Sequence, residues 1–501
     1  MTADDPTLAQ AASPMIAVQR LGYTFAGRDR PTIDDVSFSL PGGSWTVVAG
    51  PTGSGKSTLL RALAGLVPHL ARGTMRGVVR IGGVDTRGVG PARSARVVGF
   101  VTQSPDDQLC ATTVEAELAF GLENLNLPVE EIGRRIADVA RRFGFGESLS
   151  QPTAQLSGGW KQRLALAAVV AMRPQVLICD EPLSCLDPPA ARAFLDELAR
   201  LHRAGLTIVT AEHRVDELRP YADRELTLVE GRIVGDRPID ATASWSPRVA
   251  RSRPAPTPGP AVLVVADGEF RFRGAARSVW SRVSFEVRRG ERWAVVGPNG
   301  SGKSTLLAAV AGLLRWTSGR CEIFGDARRS ATSLVPQRAD LTLFHRSVAD
   351  ELAYAPRAAG LAPSTVDERV GLTARMFRLD RLLDEHPHAL SRGERVRTAV
   401  AAALAAAPRL LLLDEPTTGQ DLPTIDEVME LLSYCIGGPG GPEALLFSTH
   451  DLTLATRYAD RVLVVCGDGQ VVQARPEQLL DDEGLLRRAG LFVPPARQGG
   501  A

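Results

Sequence analysis

The strongest constraint on this chain is a pattern that occurs twice: a short apolar run, a glycine-rich loop ending Gly-Lys-Ser-Thr, and a stretch able to form a helix. The first loop is Gly50, Pro51, Thr52, Gly53, Ser54, Gly55, Lys56, Ser57, Thr58; the second is Gly297, Pro298, Asn299, Gly300, Ser301, Gly302, Lys303, Ser304, Thr305. Both follow G-x-x-x-x-G-K-[ST], in which the glycines let successive backbone N–H groups converge on phosphate oxygens. The lysine of such a loop reaches the outer phosphates and the next hydroxyl holds Mg2+. Lysine stands at only three positions, 56, 161 and 303, and arginine supplies every other long basic side chain. The loops keep lysine because a compact ammonium on a flexible stem fits between phosphates where a planar guanidinium does not.

The second half repeats the first. Gln103 and Gln337, Ser157 and Ser391, and Asp180 and Asp414 are each 234 residues apart, and His213 and His450 are 237 apart. The loop lysines are 247 apart, so one gap of thirteen residues between loop and glutamine interrupts two otherwise collinear halves. So long a period denotes a duplicated domain, because solenoid repeats run at about 20–50 residues. Each half reads as α/β. Trp45–Ala49 and Trp293–Val296 predict strands feeding the loops, with helices from Ser57 and Ser304. Val176–Cys179 and Leu410–Leu413 are continuous apolar runs, the pattern of buried parallel strands, and each leads into Asp-Glu-Pro. Val129, Ile132, Ile136, Val139 and Phe143 fall on one face of an amphipathic, packed helix. The stretch Ala241–Pro260, rich in Pro, Ser, Ala and Arg and without periodicity, reads as an extended tether. Domains over 14–240 and 261–495 follow, with 241–260 as linker.

Composition narrows the function classes. With 58 basic and 57 acidic side chains the net charge is +1, so no global field recruits nucleic acid or acidic lipid. The six cysteines (110, 179, 185, 321, 435 and 466) lack C-x-x-C spacing. That argues against zinc, iron–sulfur clusters or a disulfide framework and suits a reducing cytosol. The start, Met1 to Ser13, is polar and acidic and predicts no signal peptide. The longest apolar stretches, such as Thr398–Ala407, fall short of the ~20 residues that cross a bilayer. The expectation is a soluble chain.

Transfer of a phosphoryl group to water needs the phosphate positioned, its charge neutralised and a water aimed in line. Asp180 and Asp414, at the ends of apolar strands, suit the acidic group that helps hold Mg2+. Glu181 and Glu415 follow at once; successive residues at a strand end point different ways, so the Glu can address a water while the Asp faces the metal.

With these residues in this order, each half resembles an ABC-type ATPase, over nearly the full length of the chain. The resemblance implies two tandem P-loop NTPase (ABC-type) domains. Each would have a mainly parallel core sheet with helices, an antiparallel β subdomain and a helical signature subdomain. It implies ATP and Mg2+ as cofactors, with Ser57, Gln103 and Asp180, and Ser304, Gln337 and Asp414, toward the metal. Glu181, Glu415, His213 and His450 would be catalytic, the histidines touching the γ-phosphate. Phe25 and Phe272 match the aromatic that stacks on adenine, with Tyr23 and Phe270 close by. The signatures are Leu156-Ser157-Gly158-Gly159-Trp160 and Leu390-Ser391-Arg392-Gly393-Glu394. A Ser hydroxyl and backbone N–H groups opening a helix make a natural anion site. In this family two domains face head to tail, each ATP lying between one loop and the other domain's signature. Lys303, Asp414, Glu415 and His450 would then face the intact Ser157, Gly158 and Gly159. Lys56, Asp180, Glu181 and His213 would face Ser391 and Gly393, between which Arg392 replaces a glycine. Trp160 also departs from the usual Gln. Both sites are expected to bind ATP and the Lys303 site to hydrolyse faster; the alternative is that Arg392 points outward and both sites turn over alike.

The first half carries a narrower resemblance. Gln103-Ser-Pro105-Asp106-Asp107-Gln108-Leu109, Thr113-Val114-Glu115 and Ala119-Phe120-Gly121-Leu-Glu-Asn124 look like the ATPase subunits of energy-coupling factor transporters, which import vitamins and metals such as cobalt or nickel. Cys110 stands where those proteins commonly have an aromatic, and the second half has Gln337-Arg-Ala-Asp340 instead of the Pro-Asp-Asp-Gln run. The resemblance implies a groove at Gln103–Phe120 for a helix of a multi-span membrane subunit, with a substrate-binding membrane subunit beside it. It implies pairing of the two halves within one chain, no nucleic-acid partner, and a place at the cytoplasmic face of the cell membrane. Three other readings stay open. A sugar-import ATPase would usually show a degraded catalytic set in one half. A twin-ABC translation factor would have a long charged helical linker, and a DNA-repair ATPase would have zinc cysteines or a coiled-coil insertion.

Overall fold

Trp45–Ala49 forms a strand buried at every residue, and around such strands each half of the chain is built. The structure is a computed structural model that describes residues 14–184, 186–212, 215–239, 259–324, 331–416, 422–438 and 441–491. Contacts divide the chain into two compact units, residues 1–186 with 190–244, and residues 245–501 with 187–189. Most of the expected tether, 241–258, lies outside the described residues, as do residue 240 and residues 492–495 of the expected domain ends.

In the first unit the strands are β1 (Ile16–Phe25), β2 (Ile33–Leu40), β3 (Trp45–Ala49), β4 (Gly73–Ile81), β5 (Val84–Asp85), β6 (Val98–Val101), β7 (Val176–Asp180), β8 (Thr207–Ala211), β9 (Arg224–Val229) and β10 (Arg232–Pro238). The core sheet runs β10-β9-β3-β8-β7-β6, parallel except for the edge strand β10. A separate antiparallel sheet runs β2-β1-β4-β5. The longer helices are α1 (Lys56–Leu63), α2 (Val114–Asn124), α3 (Val129–Phe143), α4 (Gly158–Ala171) and α5 (Pro188–Arg203).

The second unit repeats this order. Its strands are β11 (Ala261–Phe270), β12 (Trp280–Arg288), β13 (Arg292–Val296), β14 (Ser318–Ile323), β15 (Thr332–Val335), β16 (Leu410–Leu413), β17 (Ala444–Thr449), β18 (Arg461–Val465) and β19 (Val471–Ala474). The core sheet runs β15-β16-β17-β13-β18-β19, again with only the last strand antiparallel, and β12-β11-β14 form the antiparallel sheet. Its longer helices are α6 (Lys303–Val310), α7 (Val348–Ala358), α8 (Pro363–Met376), α9 (Arg392–Ala405) and α10 (Leu422–Cys435). Each unit has a parallel core sheet, an antiparallel sheet and a helical part, the architecture expected from the sequence.

Strand alternation explains why the sequence shows continuous apolar runs. In β16, Leu411 and Leu413 join one core cluster while Leu410 and Leu412 join the other. In β7, Leu177 and Cys179 face one cluster and Val176 and Ile178 the other. A strand covered on both faces has no polar side, so every position is apolar. Leu412 is fully buried, and Leu412→Ala should cost the second unit about 2–5 kcal/mol in a denaturant titration, by lost transfer energy and the cavity left behind.

The amphipathic helix is present as α3, but its apolar face is shorter than expected. Ile136, Val139, Ala140 and Phe143 are buried, whereas Val129 is 80% exposed. Ile132 is half-buried against the same core, so the packed face runs from Ile132 to Phe143 and leaves out only the first turn at Val129.

Candidate active site

Each phosphate loop leaves the carboxyl end of a central strand and enters a helix, β3 into α1 and β13 into α6. The helices begin at Lys56 and Lys303, one residue earlier than expected, because Gly55 and Gly302 cap them in a left-handed conformation at φ 102° and 100°. Only glycine adopts that conformation without strain. Gly50 and Gly297 are fixed by space instead: a Cβ would strike the carbonyl oxygens of Leu228 in β9 and Val465 in β18.

The loops then curl around their own lysines. Lys56 Nζ donates to the carbonyls of Gly50 (2.9 Å) and Pro51 (3.1 Å), and Lys303 Nζ to those of Gly297 (2.9 Å) and Pro298 (3.0 Å). Both lysines are buried, as are the hydroxyls of Ser54 and Ser301, which have no hydrogen-bond partner among the described residues. Ser57 donates to Asp180 Oδ1 at 3.0 Å and Ser304 to Asp414 Oδ1 at 2.9 Å. Burial raises both aspartates above their ordinary range, while these hydroxyls pull the other way.

Glu181 and Glu415 share an uncommon backbone conformation, φ 46° and 45°. For a residue with a side chain, and one preceding proline, this costs on the order of 1–3 kcal/mol and is held only where the surroundings enforce it. It turns each glutamate toward its loop lysine, 3.8 Å for Lys56–Glu181 and 3.0 Å for Lys303–Glu415. Each has a further partner among the described residues. Gln103 Nε2 donates to Glu181 Oε2 at 2.9 Å, and Glu415 Oε2 receives His450 Nδ1 at 2.9 Å. Burial alone would raise Glu415, but the His450 hydrogen bond and charge, with the Lys303 ammonium, hold it at about 2. Gln103 is presented by a closed loop: Gln108 accepts from Thr102 N (2.9 Å) and Thr102 Oγ1 (3.1 Å) and donates to Phe100 O (3.2 Å). Gln337 is exposed, and His213 lies outside the described residues.

The aromatic positions separate cleanly. Tyr23 is fully buried with its hydroxyl on Ala71 O at 2.7 Å, and Phe270 is also buried. Phe25 is half-buried and Phe272 is 53% exposed, so part of each side chain reaches the surface. The signatures open α4 and α9, and the hydrogen bonds of Ser157 and Ser391 stay within the first turn of those helices. Ser157 makes no side-chain cap, whereas Ser391 forms a capping box in which Glu394 accepts from its N–H (2.8 Å) and hydroxyl (2.6 Å).

Among the described residues no three His, Cys, Asp or Glu gather as a metal cluster. One hydroxyl and one carboxylate per unit fit Mg2+, which takes one or two protein oxygens and fills its sphere with phosphates and water. Residues that sequence reasoning did not single out complete the frame. Glu117 accepts from the N–H groups of Cys110 (2.9 Å) and Ala111 (2.7 Å), and Glu351 from those of Phe344 (2.9 Å) and His345 (2.8 Å). Their 234-residue spacing matches the duplication and could have flagged them. The Ser391-x-x-Glu394 pattern was equally legible; Ser448, which bonds Asp414 at 2.6 Å, was not.

The sequence matches the ABC transporter family over residues 33–184 and 280–418. A Methanosarcina mazei protein provisionally named an ABC transporter ATP-binding protein is 34% identical, across 96% of this chain and 93% of its own. A Bacillus subtilis protein provisionally named the HMP/thiamine import ATP-binding protein YkoD is 32% identical, across 97% and 96%. The solved structure of cbiO1 from Clostridium perfringens, described as part of the ABC transporter complex cbiONQ, is 30% identical across 44% of this chain and 88% of that one, with a TM-score of 0.41. Relatives this similar over almost the whole length settle the family: the chain belongs to the ABC transporters, as an ATP-binding and ATP-hydrolysing protein with two such domains in tandem.

Proposed function

We propose that this ATPase is the energy-coupling subunit of a membrane importer of the energy-coupling factor type, whose cargo is a vitamin or a transition-metal ion. The observation that carries the reading is the Thr102–Gln108 loop. Gln103 and Gln108 belong to the run that resembles that branch; Gln108 closes the loop and Gln103 bonds Glu181, which supports a link between the expected partner groove and the reacting carboxylate. The thiamine-import name of the full-length Bacillus relative supports the cargo class. No described helix is long and apolar enough to cross a membrane. The reading gives the crossing to a multi-span partner, a substrate-binding membrane subunit beside it, and this chain to the cytoplasmic face.

In this reading the units pair head to tail within one chain, each phosphate loop facing the other unit's signature. The loop N–H groups and Lys56 or Lys303 grip the outer phosphates, exchanging contacts with loop carbonyls and Glu for contacts with phosphate oxygens. Ser57 with Asp180, and Ser304 with Asp414, would hold Mg2+, which when bound withdraws charge from the phosphate oxygens. Phe25 and Phe272 offer their faces to adenine. Glu415, ionised down to about pH 2, serves as a fixed acceptor that aims a water in line, and His450 fixes its direction. Gln103 does the corresponding work on Glu181. Closure on ATP and reopening after hydrolysis would move the partner.

Affinity purification of the chain from membranes, followed by ATP-dependent uptake of labelled HMP, thiamine, Co2+ or Ni2+ in vesicles, tests this. Co-purification of a multi-span subunit and uptake of one such cargo are expected. Recovery of ribosomes, or uptake of sugars alone, would overturn the branch while leaving the ATPase.

A further inference from the structure

The two units differ at one buried position beside the carboxylate assigned to Mg2+. In the first core sheet Asp180 pairs in parallel register with Ala211. In the second, Leu413 pairs with Phe447, which sets the next residue, Asp414, opposite Ser448. Ser448 is fully buried, and its hydroxyl does two things at once. It accepts the backbone N–H of Glu415 at 2.8 Å and donates to Asp414 Oδ1 at 2.6 Å. A hydroxyl has a single proton, so with the Glu415 N–H on its lone pair that proton is committed to Asp414. Asp414 Oδ1 also receives Ser304 at 2.9 Å, and Oδ2 has no protein donor among the described residues. In the first unit Ser57 is the only described hydroxyl on Asp180, and Glu181 N–H goes to the carbonyl of Ala211 at 2.9 Å.

We propose that Ser448 is a positioning residue that presets Asp414 for Mg2+, and that Ala211 leaves Asp180 without this restraint, so the two sites differ in their Mg2+ requirement. The inference rests on the assignment of Asp180 and Asp414 to Mg2+ under the proposed function. A carboxylate locked by two hydroxyls on one oxygen keeps the other aimed, whereas one locked by a single hydroxyl must be ordered when the ion binds. Partners behind a metal ligand commonly shift metal affinity by about 10–100-fold.

The test measures binding of a non-hydrolysable ATP analogue to the full chain across a Mg2+ series and in EDTA. A Lys56→Ala background confines the signal to the second unit. There, Ser448→Ala should raise the Mg2+ concentration for half-maximal binding by about tenfold and leave binding in EDTA unchanged. In a Lys303→Ala background, Ala211→Ser should lower the Mg2+ requirement of the first unit. An unchanged Mg2+ series in both variants, alongside a shifted one for Asp414→Asn, overturns the role of Ser448 and spares the Mg2+ assignment. If Asp414→Asn also leaves the series unchanged, the assignment fails and takes this inference with it. An equal loss in EDTA for Ser448→Ala would mark general distortion and likewise overturn it.

Discussion

Glutamine in place of Glu415 should lower steady-state ATP hydrolysis by about 100-fold or more, and the same change at Glu181 should cost less. One distance and the proposed pairing favour the second unit as the faster site. Glu415 lies 3.0 Å from its loop lysine against 3.8 Å for Glu181. Under the pairing proposed above, Lys303 would meet Ser157, whose hydroxyl makes no cap, while Lys56 would meet Ser391, whose hydroxyl and N–H are already taken by Glu394. Phosphate release by the two variants and the parent is the measurement, and a larger loss from Glu181→Gln would reverse the assignment. Glu415→Gln also alters the acid limb of stability. A carboxyl held at about 2 stabilises the fold above the unfolded glutamate value of ~4.3 and loses that contribution as pH falls toward about 2. The variant lacks that slope.

Lys303→Ala should weaken nucleotide binding and lower kcat/KM by about 100–1,000-fold, because it removes a preorganised cation from a buried site. Lys303→Arg should rescue little of this. The ammonium is buried within reach of the Gly297 and Pro298 carbonyls and Glu415, and a planar guanidinium is longer and cannot take the same three directions. Nucleotide titration and turnover of both variants, with circular dichroism to confirm folding, check the outcome. Near-parental kcat/KM in Lys303→Arg would show that charge alone suffices there.

Local chemistry made much of this legible. Glycines at 50, 55, 297 and 302 are required by collisions and backbone angles of the loops themselves, so a one-dimensional pattern finds them. Asp-Glu-Pro after an apolar run is similarly self-contained. The rest depends on register between distant strands. Nothing near Ser448 in sequence announces a bond to Asp414; only the pairing of β16 with β17 creates it. The helix Val129–Phe143 has the expected bounds, but the exposure of Val129 at its start depends on tertiary packing that periodicity alone does not carry. That Tyr23 is buried while Phe25 stays partly exposed likewise follows from packing of the antiparallel sheet.

The strand order has a consequence for how the chain comes off the ribosome. β3 is flanked by β8 and β9, whose residues begin more than 150 positions later, so the first sheet cannot close until residue 229 has been made. Until then the nascent segment carries an apolar strand with neither neighbour, and long-range parallel pairing of this kind is slow and prone to aggregation. The same delay recurs for β13, which waits for β17 and β18. Truncations ending between these points should therefore yield insoluble product rather than a smaller working module.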